Sequence, residues 1–279
     1  MQRMRFNFSL TLLFILFLCA GIAFPSKSQC LKNEEPFVVG EKVEYEVYYN
    51  WGFIWVNAGE VTFSVKPELY HGKAVYHFIS EGTSKPNYDW LYKVRDRYES
   101  KVAIDGFRPL WFKRDTYEGN FKVDEEYHYL PEKNQVAFSL TDSDNPLVED
   151  TLNIKPCTFD VITMVYYART LDFSKYQKND KIPINVLIDG EAHNLYIRYL
   201  GTETIETREK KKFECIKFKP LLVEGTIFEG GEDMTVWVTN DRNKIPILVE
   251  AKIIVGSIKA YLTKTSNLKY PGKALVEEE

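Results

Sequence analysis

The chain has 279 residues and a net charge of −4, with 44% apolar and 15% aromatic side chains. That length and apolar share suffice for one large domain or two small ones with a buried core. Acidic residues outnumber basic ones, 40 to 36, and no basic stripe runs along the chain, so nucleic acid is excluded as a natural partner.

Residues 1–28 have the form of a cleavable export signal. Arg3 and Arg5 precede the apolar run Leu10–Ala23, and Ser26-Lys27-Ser28 supplies small residues before a cut at Gln29, with a cut after Ala23 as the alternative. The run is shorter than the roughly 20 residues of a spanning helix, so no stable transmembrane anchor is expected. Loss of this segment removes three basic residues and no acidic one, making the mature chain 29–279 more negative. The expected location is the periplasm or outer-membrane periphery, where neither ATP nor NAD is at hand, and no cofactor is expected.

Strand grammar begins at Glu41–Asn50, where Val43, Tyr45, Val47 and Tyr49 share one face and Lys42, Glu44 and Glu46 the other. Trp51–Val65 continues it, with Gly52 and Gly59 as bend or bulge points. His71-Gly72 turns the chain into Ala74–Glu81. Pro86–Tyr92 breaks the alternation and reads as a short helix or aromatic loop. Further strands follow at Val94–Ile104, Pro109–Tyr117, Phe121–Leu130, Gln135–Leu140 and Val148–Ile154, separated by Gly-, Pro- and Asn-containing turns.

A single helix is expected over Phe159–Leu171, with Thr158 as N-cap, Asp160 in the first turn and Arg169 near the end. Apolar residues nearly encircle it, so it should be buried on most sides. Beyond it, Lys181–Ile188 and Ala192–Tyr199 flank the hairpin dipeptide Asp189-Gly190. Thr202–Arg208 and Phe213–Pro220 flank the solvated tip Glu209–Lys212, and Met234–Thr239, Pro246–Glu250 and Ile253–Leu262 complete the set.

The expected fold is mainly β: a curved antiparallel sheet or open β-barrel with one buried helix at about 159–171. It forms a single domain whose two sheet halves meet near that helix. Such closure would shield strand edges. By analogy of fold alone, periplasmic lipoprotein carriers also wrap a half-barrel around a helix.

Beyond the signal segment, three cysteines remain. Cys157 and Cys215 admit a bridge in an oxidising compartment, but two small buried hydrophobes is the favoured reading. Lys27 and Gln29 do not fit a lipidation box ahead of Cys30. No HExxH, GxSxG, CxxC, P-loop or GxGxxG occurs, so no catalytic residue is assigned and a non-enzymatic protein is expected. Glu126 and His128 share a strand face without a third ligand, so no metal site is expected. Asp142–Asn145 lacks the later residues of a calcium loop and reads as a turn.

Aromatic concentration is the remaining signal. Trp51, Phe53 and Trp55 recur at i, i+2, i+4, Tyr88, Trp90 and Tyr92 repeat the spacing, and Trp111 follows. These residues either form a core layer, the favoured reading, or line an apolar pocket. Trp51, Phe53, Trp55, Tyr88, Trp90 and Trp111 are accordingly the candidate ligand-binding set, for a lipid or other apolar ligand held in the concave sheet. The competing readings are a structural or assembly partner acting through protein contacts in the envelope and, third, a hydrolase whose site is assembled from strand carboxylates and His128.

Tyr48–Trp55 (YYNWGFIW) with Ala58-Gly59 resembles the opening of the bacterial domain-of-unknown-function 3108 family. Val236–Asp241 (VWVTND), Lys244–Ile247 and Val255–Ser257 resemble its closing motif, and Phe159–Val161 with Tyr166–Arg169 fits between them. The resemblance spans about Pro36 to Pro271. It implies an exported protein of Gram-negative bacteria of the Bacteroidetes type. It implies no activity and supplies no catalytic residues.

Overall fold

The computed structural model describes residue 30 and residues 34–51, 54–224, 230–253 and 255–276. Residues 1–28, read from the sequence as an export signal, and Phe53 lie outside these residues, as does the side chain of Trp51.

Alternation of apolar and polar residues yields sixteen strands among the described residues. The first eight are β1 (Lys42–Trp51), β2 (Ile54–Tyr70), β3 (Lys73–Ser84), β4 (Val94–Ala103), β5 (Pro109–Glu118), β6 (Phe121–Leu130), β7 (Gln135–Asp142) and β8 (Val148–Asn153). The two-residue β9 (Thr158–Phe159) precedes helix α1 (Val161–Ala168). Then come β10 (Lys181–Ile188), β11 (Glu191–Glu206), β12 (Lys212–Pro220), β13 (Met234–Thr239), β14 (Pro246–Lys252), β15 (Ser257–Ser266) and β16 (Leu275–Val276).

All strands join one open sheet. Its order runs β8 to β1, then β15 down to β9, with β16 paired to β12. Two antiparallel meanders thus lie side by side, joined where β1 pairs β15. The exception to antiparallel pairing is β9, which runs parallel to β10. The hairpins at His71-Gly72 and Asp189-Gly190 close on two residues with positive φ, 49° and 75° in the first and 51° and 70° in the second. These are the primed-turn dihedrals whose twist matches the flanking strands. The separate strands expected at 192–199 and 202–208 are one, β11. A bulge at Tyr199/Gly201, with Gly201 at φ +96°, absorbs the extra residue and lets pairing with β12 continue.

The helix is shorter than its pattern. Thr158 and Phe159 are claimed by pairing with β10, and Asp160 rather than Thr158 is the N-cap. Asp160 Oδ1 accepts the amides of Ile162 (3.1 Å) and Thr163 (2.8 Å), while Oδ2 accepts the hydroxyls of Thr163 (2.7 Å) and Ser100 (2.9 Å). Arg169 forms the C-cap. Among the described residues no helix is long and apolar enough to cross a membrane.

α1 fills the concave side. Ile162 and Tyr166 pack with Phe37, Phe78, Phe112 and Tyr127, while Tyr167 and Ala168 meet a second cluster around Phe173, Ile216 and Phe218. Tyr166 stacks on Phe78 with centroids 3.9 Å apart, and Phe37 stands edge-on to both. The cysteine expectation is corrected: the bond joins Cys157 to Cys30, with Cα atoms 5.3 Å apart, and Cys215 is the free, buried thiol. The Cys30 amide meets Gly106 O, between β4 and β5, at 3.0 Å, which holds Cys30 beside Cys157. Cys215 instead points from β12 into a cluster with Trp237 and Ile247.

Candidate functional site

Because α1 and its aromatic partners occupy the interior, the candidate aromatics sit elsewhere. Trp55 is the second residue of β2, is 36% exposed and lies under the Lys259 ammonium, 5.0 Å from its ring centroid. Tyr88 ends a short 3₁₀ turn, Pro86–Tyr88, and is half-buried. Trp90, on the β3–β4 loop, is 79% exposed. Trp111 stands apart, near the start of β5, where its indole N–H donates to Glu126 (2.6 Å) and Lys101 lies 4.5 Å above the ring. Trp51 ends β1.

Strand polarity gathers the others. In the order β4-β3-β2-β1-β15-β14, the β3–β4 loop, the β1–β2 turn and the β14–β15 turn are three consecutive connections at one end of six adjacent strands. This row also exposes apolar residues absent from the candidate set: Ile54 at 67%, Leu91 at 46% and Val255 at 71%. Leu91 was legible as part of the aromatic loop that breaks alternation. Val255 carried no such signal, because only the β1–β15 pairing brings its turn beside β1. There Tyr49 donates its hydroxyl to Val255 O at 3.1 Å.

The β3–β4 loop is fixed, not slack. Arg95 grips Asp89 through two bonds (2.5 and 3.2 Å), the Ser84 hydroxyl also donates to Asp89, and the Val94 amide donates to Ser84 Oγ at 2.9 Å. The Arg95 bonds hold the Asp89 carboxyl below its usual range. Tyr92 leans on Gly119 so closely that a Cβ there would stand 2.7 Å from the ring. The Trp90 N–H is satisfied within its own loop by Asn87 O at 2.9 Å. The exposed indole therefore has no polar atom that needs water.

A second, polar cluster closes the inner face near the same end. The Asp189-Gly190 turn crosses to β5 and β6. The Gly190 amide donates to Glu125 Oε1 (3.0 Å), which also accepts the Tyr127 hydroxyl, and Asp189 pairs with Arg114 at 2.7 Å. Burial pushes the carboxyls of Glu125 and Asp96 up to about 7. The Gly190–Glu125 and Asp189–Arg114 contacts tie one meander to the other.

Other polar sites are local. His128 pairs with Glu126 at 3.0 Å, and among the described residues no three His, Cys, Asp or Glu side chains are placed to share a metal. His77 sits between Glu68 (2.7 Å) and Glu99 (2.8 Å). Asp142 Oδ1 accepts the amides of Asp144 and Asn145, the chemistry of a turn. A groove of about 920 Å³ over β2–β5 is lined by charged groups including Glu60, Glu81, Arg95, Arg97 and Asp115, with Tyr117 among them.

These features define an open, barrel-like β protein with a filled interior and an external apolar row. The model of the family described as "Protein of unknown function (DUF3108)" matches residues 44–263, and the chain belongs to that family. No curated protein matches the chain. Among solved structures it is similar to a β-barrel-like protein of domain of unknown function DUF1849 from Brucella abortus. Identity is 11% and the TM-score 0.55, over 84% of this chain and 99% of that one. The likeness is one of fold.

Proposed function

We propose that the protein is an exported, non-enzymatic binding module of a Gram-negative cell envelope, of the Bacteroidetes type. It holds an apolar ligand such as a lipid at the loop row around Trp55 and Trp90. The carrying observation is the alignment of three neighbouring loops that present Ile54, Trp55, Trp90, Leu91 and Val255 to solvent. Single exposed apolar residues are ordinary, but several gathered on adjacent loops point to a contact surface. The Cys30–Cys157 disulfide supports an oxidising compartment, as does the form of residues 1–28. Because α1 fills the concavity, the ligand surface is placed at the rim and not in the hollow of the sheet.

The test is mass spectrometry of an organic extract from protein purified out of its native envelope, beside an exported control. A stoichiometric lipid that disappears in folded Trp55→Ser, Trp90→Ser protein is the expected result. A clean extract rejects constitutive lipid holding. The filled interior and outward row also favour a second reading, an envelope assembly partner, for which in-cell cross-linking from residue 90 would return a specific protein.

A further inference from the structure

Building on the row as an apolar contact site, we propose that it seats on a phospholipid bilayer, with Trp90, Leu91, Ile54 and Val255 entering the boundary between headgroups and acyl chains. The apolar side chains project from separate loops and not from the walls of one groove. A bilayer receives separate points, whereas a small ligand needs an enclosing pocket. Trp90 is 79% exposed with its N–H already bonded to Asn87 O, so entry into lipid leaves no indole donor unpaired. The Asp89–Arg95 clamp holds the loop in its projecting form before contact.

Charges of both signs are interleaved at the base of the row. Lys85 lies 3.8 Å from Glu46 and 3.9 Å from Glu60, and Lys252 lies 3.6 Å from Asp233. Such long pairs exchange readily for the phosphate and ammonium of a zwitterionic headgroup. No excess of positive charge calls for an anionic surface. Binding should therefore rest on apolar entry and resist salt.

The experiment is flotation of the full-length mature protein with vesicles of phosphatidylethanolamine and phosphatidylcholine in equal parts. At roughly 0.5 M salt, screening removes long-range charge attraction. The expected result is flotation that survives this salt. It should fall about tenfold or more in Trp90→Ser, Leu91→Ser protein, since each large apolar side chain returned to water costs about a tenfold factor. Trp90→Phe, which keeps an apolar ring, should retain it and guards against a folding artefact. Absence of flotation overturns the proposal, as does flotation indifferent to these substitutions. So does flotation that requires phosphatidylglycerol and vanishes in salt, or self-association through residue 90 without flotation, which assigns the row to a second copy. The soluble probe N-phenyl-1-naphthylamine separates the two levels. Probe binding at the row without flotation leaves the apolar-ligand reading standing and removes the bilayer, while loss of both removes both.

Discussion

Arg169 and Glu41, 128 residues apart, form a buried two-pronged ion pair in which Nη1 meets Oε1 at 2.6 Å and Nη2 meets Oε2 at 3.0 Å. The same guanidinium donates to Asn243 O (3.0 Å) and Pro36 O (3.4 Å). One side chain at the end of α1 thereby joins the lead into β1 and the β13–β14 turn, which gives Arg169 a larger role than favouring the helix dipole. Arg169→Met should destabilise by about 3–5 kcal/mol, because Glu41 is left charged and buried without a partner. Urea unfolding measures it. A smaller loss for the double variant Glu41→Leu, Arg169→Met than for Arg169→Met alone would confirm that the orphaned carboxylate is the cause.

Glu125 and Asp96 set a pH dependence of unusual sign for carboxylates. Each is pushed by burial up to about 7, above its unfolded value, so the native state binds more protons between about pH 4 and 7. Their stabilising contribution is complete below the unfolded value and is lost as pH rises through about 7. Asp160, raised to about 6, acts in the same direction. Unfolding free energy should thus fall from pH 5.5 to pH 8. Glu125→Gln should flatten that slope, with a gain at pH 8 of at most about 3 kcal/mol. A slope unchanged by the substitution would show that Glu125 is not the titrating group.

Cysteine accessibility gives a direct count. The folded, oxidised chain 29–279 should react with no equivalent of a thiol reagent, with one when denatured, and with three when denatured and reduced. Cys215 is fully buried, and its thiol is pushed up to about 12 by that burial. Replacing Cys30 with Ser should cost about 2–5 kcal/mol, since the bond closes a separation of 127 residues.

Asp160 should resist truncation poorly. Its two oxygens accept two amides and two hydroxyls in a fully buried setting. Asp160→Ala should cost at least about 2 kcal/mol through the lost cap and the loss of the buried bonds from the Ser100 and Thr163 hydroxyls. Asp160→Asn should recover part of that loss. Thermal unfolding of the two variants side by side provides the check.

The strands and their hairpins were legible because period-two alternation and dipeptides such as Asp189-Gly190 act over neighbouring residues. Helix bounds were less so: Phe159 suits a helix face and a strand face equally, and only the distant β10 decides between them. The aromatic residues of the candidate site were visible, but their setting was not. Trp51 and Trp55 share one face only if their strand is continuous, whereas β1 ends at Trp51 and β2 begins at Ile54. Cys30 meets Cys157 where its amide bonds Gly106 O, a placement that no spacing encodes.

The β1–β15 seam places a condition on biogenesis. Glu46 pairs with Tyr261, so this contact closes only after nearly the whole chain has been made, while the meander β1–β8 pairs between near neighbours and can form early. Val255 reaches the neighbourhood of Ile54 and Trp55 through that late pairing alone. A chain cut short before β15 would carry its first eight strands but only part of the row, so the row is complete only once β15 has been made and has paired with β1.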